Sequence, residues 1–335
     1  MLLLTGDLGG TNARVALARI SGTRVAIEEI RIYPSAAHES VASVLETYRA
    51  DVPAAGGALA VGLGVAGPVH RQTCRVTNLP WHVDAAALKA ECGVPVRLVN
   101  DFEAVGFALP ALDPADRVML QPGEPDPEAP MALLGAGTGL GEALVLPGGP
   151  SGGPVRVVPG EGGHADFAPQ SALEAELLAF LRARHGHVSW ERVLSGAGLV
   201  ALFDFLAARS PAEVTPHTRL AMDAPGADRA AVVTTRAGQG DPVCDAAVEL
   251  FLGLYGAEAG NHALRSVARG GVYLAGGIGP RLLERLREPR GSFLRNFRAK
   301  GRFDALLETL PVFVLVDPWI ALRGAALAAR ALVRA

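Results

Sequence analysis

Apolar residues in this chain come in short runs between glycine turns, and the spacing within each run sets the element it predicts. Leu2-Leu3-Leu4 and Val15-Ala16-Leu17-Ala18 flank Thr5-Gly6-Asp7-Leu8-Gly9-Gly10-Thr11-Asn12-Ala13-Arg14, which reads as strand, turn, strand. Val41, Val44, Leu45 and Tyr48 recur at helical spacing. Residues 58–66 read as a buried strand ending in the turn Gly67-Pro68, and residues 77–82 as a loop. Residues 84–91 predict a short helix stopped by Gly93. Residues 94–99 predict a second buried strand, and 102–109 a helix with Asp101 as its candidate N-cap. Residues 110–130 are rich in Pro, Asp and Glu and read as surface connection. Residues 131–134, a turn over 135–141, and 143–146 then repeat the opening plan with little sequence identity.

Past a loop at 148–153, the pattern turns helical. Ser171 and Glu174 have capping-box spacing ahead of Leu173, Leu177, Leu178 and Leu181, and Gly186 closes that helix. A second helical stretch starts near residue 190 with Ser189 as candidate N-cap, runs through 199–208, and ends at Ser210-Pro211. Residues 211–240 predict a small exposed helix with loops. Asp241-Pro242 opens a long apolar helix to about residue 268, with Gly253, Gly256 and Gly260 as a stripe for close packing. Residues 271–275 predict a strand, Gly276-Gly277 a turn, and a helix follows from Arg281. The chain closes with a strand at 312–316 and a helix at 320–333.

The chain has 335 residues, half of them hydrophobic, which is enough for two domains with cores of their own and excludes a disordered chain. A net charge of −3 argues against a nucleic-acid or membrane-surface partner. Cys74, Cys92 and Cys244 stand alone, which fits a reducing compartment and disfavours a cysteine zinc site. The N-terminal apolar run is too short for a signal peptide or a membrane span, so a cytoplasmic location is expected.

The chemistry sits in the turns. A Gly-Gly turn tipped by Thr11 and Asn12 offers backbone N–H groups to a phosphate chain, and Asp7 offers a carboxylate for Mg²⁺. An ordinary tight hairpin has the same glycines. The strand-turn-strand setting is neither a dinucleotide fingerprint nor a P-loop, and the P-loop lysine is missing. Asn100-Asp101 follows a buried strand, where ligands sit in open α/β sheets. Glu161 and His164 stand among glycines, and Gly276-Gly277 follows a strand in a manner that suits a nucleotide. Arg14 has two readings, as a phosphate contact or as neutralising a surface.

Taken together, GDLGGTNAR at 6–14, TNLPW at 77–81, NDFEA at 100–104, GAGTGLG at 135–141, PGEGGHADFAP at 159–169, HVSWERVLSG at 187–196 and LAGGI at 274–278 resemble the bacterial glucokinases. These belong to the sugar kinase, heat-shock ATPase and actin superfamily. The missing Cys-rich motif places the resemblance with the zinc-free group. Asp317-Pro318-Trp319-Ile320 departs from the family's usual Asn-Pro-Gly run.

The resemblance implies an α/β fold of two ribonuclease-H-like domains flanking a central cleft, one at 1–110 plus 317–335 and one at 111–316. It implies ATP-dependent phosphorylation of glucose at the 6-hydroxyl, with ATP and Mg²⁺ as cofactors and a homodimer as the assembly. Asp101 is then the catalytic base. Asn78, Asn100, Asp101, Glu161, His164 and Glu191 bind the sugar. Asp7 holds the metal, while Gly9, Gly10, Thr11 and Asn12 meet the transferring phosphate. Gly137, Thr138 and Gly139 meet the other phosphates, and Gly276 and Gly277 lie against adenosine. A kinase of fructose or mannose, a non-catalytic sugar-sensing regulator and a filament-forming actin relative are the alternatives, and ADP or polyphosphate the alternative donors.

Overall fold

The computed structural model describes residues 1–22, 24–77, 79–148 and 153–334. The opening hairpin is present: β1 (Leu2–Leu8) and β2 (Asn12–Ser21) pair antiparallel, with Asp7 opposite Arg14. A third strand, β3 (Arg24–Pro34), lies along β2 and escapes the hydrophobic pattern. Its apolar residues change phase at Glu29, where φ is 53° and the register shifts, so a bulge breaks the alternation in mid-strand.

β4 (Val61–Val65) and β7 (Val96–Asn100) extend β1 in parallel, and the sheet order is β3-β2-β1-β4-β7. Between them β5 (Thr73–Arg75) and β6 (His82–Asp84) form a separate ribbon. β7 is the sheet's edge, and the Gln72 side-chain amide bonds both the N–H and the C=O of Leu98 there. A side chain so placed does the work of one more strand residue and blunts the edge.

Helices cover this sheet. Helix Val41–Asp51 is capped by Ser40, and Ala85–Cys92 by Asp84 with left-handed Gly93 at its end. Helix Ile320–Arg334 packs on β1 and β4, and the Thr5 hydroxyl donates to the Leu322 carbonyl at 2.7 Å. Gly62 of β4 is required there, because a β-carbon would collide with the carbonyl of Ala325.

The chain divides into two compact units. One comprises residues 1–116, 145–159 and 317–335, the other 117–144 and 160–316. Residues 145–159, placed by the sequence reading in the larger domain, group with the first unit. Val145 and Val157 pack against Gly106 of helix Asp101–Ala108, where a β-carbon would lie 3.1 and 2.7 Å from them.

The second sheet runs β11-β10-β9-β12-β13-β8, built from β8 (Arg117–Gln121), β9 (Met131–Ala136), β10 (Leu140–Leu146), β11 (Arg156–Gly160), β12 (Val272–Ala275) and β13 (Val312–Leu315). β9, β12 and β13 are mutually parallel. β8 lies inside the stretch read as surface connection; it is a short edge strand with Met119 half exposed. β11 is largely exposed, so it has no alternation to read.

Helix Pro242–Ser266 crosses this unit, capped by Asp241 as expected. Gly256 and Gly260 let the carbonyls of Phe293 and Phe297 in helix Ser292–Arg298 approach closely. Three sequence expectations are corrected here. Ser189 makes no cap: a single 3₁₀ turn, Trp190–Arg192, follows it, and Ser195 caps the true helix Gly196–Arg209. Glu174 accepts from Gln170 N–H, one residue short of a closed box, although Ser171 still caps. The 211–240 region holds two helices, Pro216–Met222 and Arg229–Gly238, with Met222 and Val233 in the core.

Candidate active site

In the first unit the candidate residues stand at the carboxyl ends of neighbouring parallel strands. Asp7 of β1 pairs with Gly64 of β4, and Val65 of β4 with Asn100 of β7. Two strand spacings separate β1 from β7, about 10 Å.

Asn100, not Asp101, is the N-cap of helix Asp101–Ala108. Its Oδ1 accepts from Phe102 N–H at 2.9 Å and Glu103 N–H at 3.2 Å, and the Glu103 carboxylate returns to the Asn100 N–H. Its Nδ2 also donates to the Gly67 carbonyl at 3.1 Å. Three of the amide's four hydrogen-bonding positions are therefore engaged within the protein. The spacing Asn100-x-x-Glu103 was the signal for this box.

Asp101 takes the first helical position with its Oδ1 on the Phe102 N–H at 2.8 Å. Burial pushes its carboxyl up to about 6. The Asp7 charge adds to the rise, while the Phe102 N–H and the Asn100 amide oppose it. The result is a carboxylate that is ionised at neutral pH and more basic than a free Asp.

At the hairpin tip the Gly9 N–H closes the turn on the Asn12 carbonyl at 3.0 Å, so it is not available to a phosphate. Ser35 pins the tip, bonding the carbonyls of Gly9 and Thr11. Gly10, Thr11 and Asn12 keep part or all of their surface open. Arg14 is neither a loose phosphate contact nor a bare surface charge. Its Nη1 bonds Asp7 Oδ2 at 2.8 Å across the hairpin, a cross-strand pair that the register dictates.

In the second unit the turns over 137–139 and 276–277 follow adjacent parallel strands, with Gly135 opposite Ala275. The Gly137 N–H closes its own turn on the Gly139 carbonyl at 2.8 Å. Gly276 has φ of 84°, and a β-carbon there would collide with the Ala136 carbonyl. Among the described residues, a β-carbon at Gly137 or Gly277 would meet no protein atom within 4 Å. Two glycine turns with open space above them at the ends of parallel strands are where a nucleotide fits.

Glu161, His164 and Glu191 are brought together. The 3₁₀ turn Gly162–His164 packs against Trp190–Arg192, and Trp190 N–H bonds the Ala165 carbonyl at 3.0 Å. His164 Nε2 and Glu161 Oε2 are 3.9 Å apart, both side chains largely exposed. Glu191 Oε2 accepts from Leu140 N–H at 3.0 Å and lies over Gly139, where a β-carbon would stand 2.5 Å away. Glu191 therefore touches the 137–139 turn, and the 3₁₀ turn that carries it packs against the Gly162–His164 turn. Asn78 lies outside the described residues.

The glucokinase family model matches residues 4–332. The chain belongs to the glucokinase family. A glucokinase of Nostoc punctiforme is 38% identical over 347 residues, spanning 98% of this chain and 98% of its own. The crystal structure of a glucokinase from an Antarctic psychrotroph is 33% identical, with a TM-score of 0.85 over 98% of this chain and 99% of that one. A ROK family glucokinase from Streptomyces griseus, solved in complex with glucose and AMPPNP, shares the fold at 20% identity, with a TM-score of 0.66 over 99% of this chain and 100% of its own. The α/β architecture is thus that of the sugar kinases with the actin-like ATPase fold.

Among the described residues no group of three or more His, Cys, Asp or Glu is placed to hold a metal. Mg²⁺ on a nucleotide keeps most of its waters and needs one or two carboxylates, and Asp7 at a strand end, with one oxygen on Arg14, fits that demand. No helix among the described residues is long and apolar enough to cross a membrane. The sequence reading passed over the buried carboxylates Asp116, Glu142 and Glu258; Glu142 was missed because a Glu at an alternating strand position looks solvent-facing.

Proposed function

We infer that this glucokinase-family protein transfers the terminal phosphoryl group of ATP to the 6-hydroxyl of D-glucose, giving glucose 6-phosphate for glycolysis. The observation that carries this reading is Asp101. It is a partly buried carboxylate, held at a helix start within reach of the Asp7 charge, with its proton affinity raised by burial toward neutrality.

In this reading Asp101 orients the sugar hydroxyl and takes its proton as the phosphoryl group arrives. Asn100 fixes Asp101 in place by capping the helix that carries it. Asn78, Glu161, His164 and Glu191 accept and donate to the remaining sugar hydroxyls, for which carboxylates are the strongest acceptors. Gly10, Thr11 and Asn12 meet the transferring phosphate, together with the Gly9 turn that shapes the tip. The turns at Gly137, Thr138 and Gly139 and at Gly276 and Gly277 meet the rest of the nucleotide. Asp7 holds Mg²⁺, which when bound supplies positive charge to the phosphates. The protein works in the cytoplasm as a homodimer.

The pH profile tests the base. Asp101 must be ionised, so kcat/KM for glucose is expected to fall as pH drops through the folded-state value of about 6. An acid limb at the free-Asp value of about 4 instead contradicts the assignment.

Asp7→Asn separates metal from sugar. Mg²⁺-dependent turnover is expected to fall by about 10²-fold or more while glucose affinity by calorimetry stays within about twofold. Collapse of sugar affinity with an unchanged metal dependence would mean that the two roles are exchanged.

A further inference from the structure

Beneath the loop that carries Glu161 and His164 lies a buried polar cluster that the reaction does not use. Glu142 of β10 is 4% exposed and Glu258 of helix Pro242–Ser266 fully buried. The two carboxyls are not equivalent. Glu258 receives Arg265 Nη1 at 2.7 Å on one oxygen and Asn261 Nδ2 at 2.8 Å on the other. Lys300 Nζ, bonded to Asn261 Oδ1 and the Ala257 carbonyl, adds a positive charge on that side.

Glu142 has no such donors. Its Oε1 is buried without a hydrogen-bond partner, and its Oε2 stands 3.6 Å from Arg265 Nη1 and 3.7 Å from His262 Nδ1. His262 Nε2 bonds the Ala143 carbonyl at 2.9 Å, so that nitrogen carries the hydrogen and Nδ1 faces Glu142 as a bare acceptor. Burial also holds His262 below its ordinary range, in the neutral form. The Tyr255 hydroxyl, also fully buried, is pushed up by burial, and further by any charge on Glu142, and stays protonated. A carboxyl in that setting keeps its proton: burial first, and then the Glu258 charge, push it well above the usual carboxylate range.

The loop rests directly on this group. A β-carbon at Gly162 would collide with the Glu142 carboxyl, and one at Gly163 with the Leu140 carbonyl. Glu161 N-terminal to that contact and His164 C-terminal to it are fixed by where Gly162 lies, and the His164 N–H returns to the Glu161 carbonyl at 3.0 Å.

We propose that Glu142 is a positioning residue for sugar binding: its protonated carboxyl forms the seat on which the Gly160–His164 loop lies, and its ionisation displaces that loop. The inference rests on the reading that Glu161 and His164 bind glucose. Ionising Glu142 sets a second negative charge beside Glu258, and among the described residues Arg265 is the cation paired with both carboxyls, while Lys300 lies on the Glu258 side. The charge is relieved by moving toward water, and Gly162 is in the way.

The test measures KM for glucose and for ATP, and kcat, from pH 6 to about pH 9 in wild type, Glu142→Gln and Glu142→Ala. Wild type is expected to show a glucose KM that rises on the alkaline side while the ATP KM stays flat. Glu142→Gln, neutral and of the same shape, is expected to keep the neutral-pH glucose KM within about twofold and to lose the alkaline rise. Glu142→Ala is expected to raise the glucose KM about tenfold or more at every pH, with the ATP KM little changed.

An alkaline rise that persists in Glu142→Gln overturns the proposal, as does an unchanged glucose KM in Glu142→Ala. If the alanine variant does not fold, the Gln profile alone decides. Glu161→Gln and His164→Gln in the same assay isolate the underlying reading. If neither alters the glucose KM, the sugar-loop assignment fails. If both raise it while the Glu142 variants behave as wild type, only the present inference fails.

Discussion

Asp101→Ala is expected to lower kcat with glucose and ATP by about 10²–10⁴-fold while leaving ATP affinity within about twofold. The variant removes the proton acceptor but little of the scaffold. Phe102 N–H keeps Asn100 Oδ1 as its acceptor at 2.9 Å, and the Asn100–Glu103 box still caps the helix. The charge itself is held against stability. A carboxyl raised from 3.8 to about 6 stabilises the fold only below the free value, and that contribution is lost as pH rises through 6. At neutral pH the ionised group therefore costs about 3 kcal/mol. The loss of turnover is accordingly expected without a fall in Tm at pH 7. Near-normal turnover in a folded sample, or a collapse of the fold, contradicts the role given to Asp101.

Gly324→Ala is expected to destabilise the protein by about 3 kcal/mol and to lower kcat with it. Helix Ile320–Arg334 lies so close to helix Asp101–Ala108 that a β-carbon at 324 would collide with the Ala104 carbonyl and stand 3.3 Å from Ala108 N. A backbone oxygen cannot rotate away as a side chain can, so the two helices must separate. Asp101 rides on one of them. Gly238→Ala is the control: its β-carbon would meet nothing within 4 Å, and its stability change is expected to be under about 1 kcal/mol. Chemical unfolding of the two variants side by side reads the difference, and equal midpoints contradict the packing account.

Where the signal is local, the elements are legible in the chain. The glycine turns after β1, β9 and β12 and the caps at Ser171 and Asp241 lie where the residue pattern places them, while Asp84, read as the first residue of its helix, caps it from one position outside. The family follows from motifs spread along the whole chain, and the match over residues 4–332 agrees. What is illegible depends on contacts distant in sequence. β3 is hidden because its bulge at Glu29 reverses the apolar phase, and β11 because a largely exposed strand needs no apolar face. Asn100 and Asp101 are both good capping residues side by side, and the helix frame, closed by Glu103, decides between them. Glu142 is the extreme case: its burial comes from residues 162 and 258–265, which fold over it from far along the chain. The reverse holds at Gly9 and Gly137, whose bare N–H groups invite a phosphate in sequence and are used to close their own turns in structure.

The most direct measurement is a matrix assay of the purified protein, with glucose, fructose and mannose each offered ATP, ADP and polyphosphate, and the products identified by NMR. The account expects glucose with ATP to give the highest kcat/KM and the phosphate to be on the 6-oxygen. Because a site that hydrogen-bonds sugar hydroxyls discriminates by leaving its buried polar groups unpaired, the other two sugars are expected to be slower by about 10²-fold or more. A higher kcat/KM for fructose or mannose, a preference for ADP or polyphosphate, or tight glucose binding with no sugar phosphate formed would contradict it.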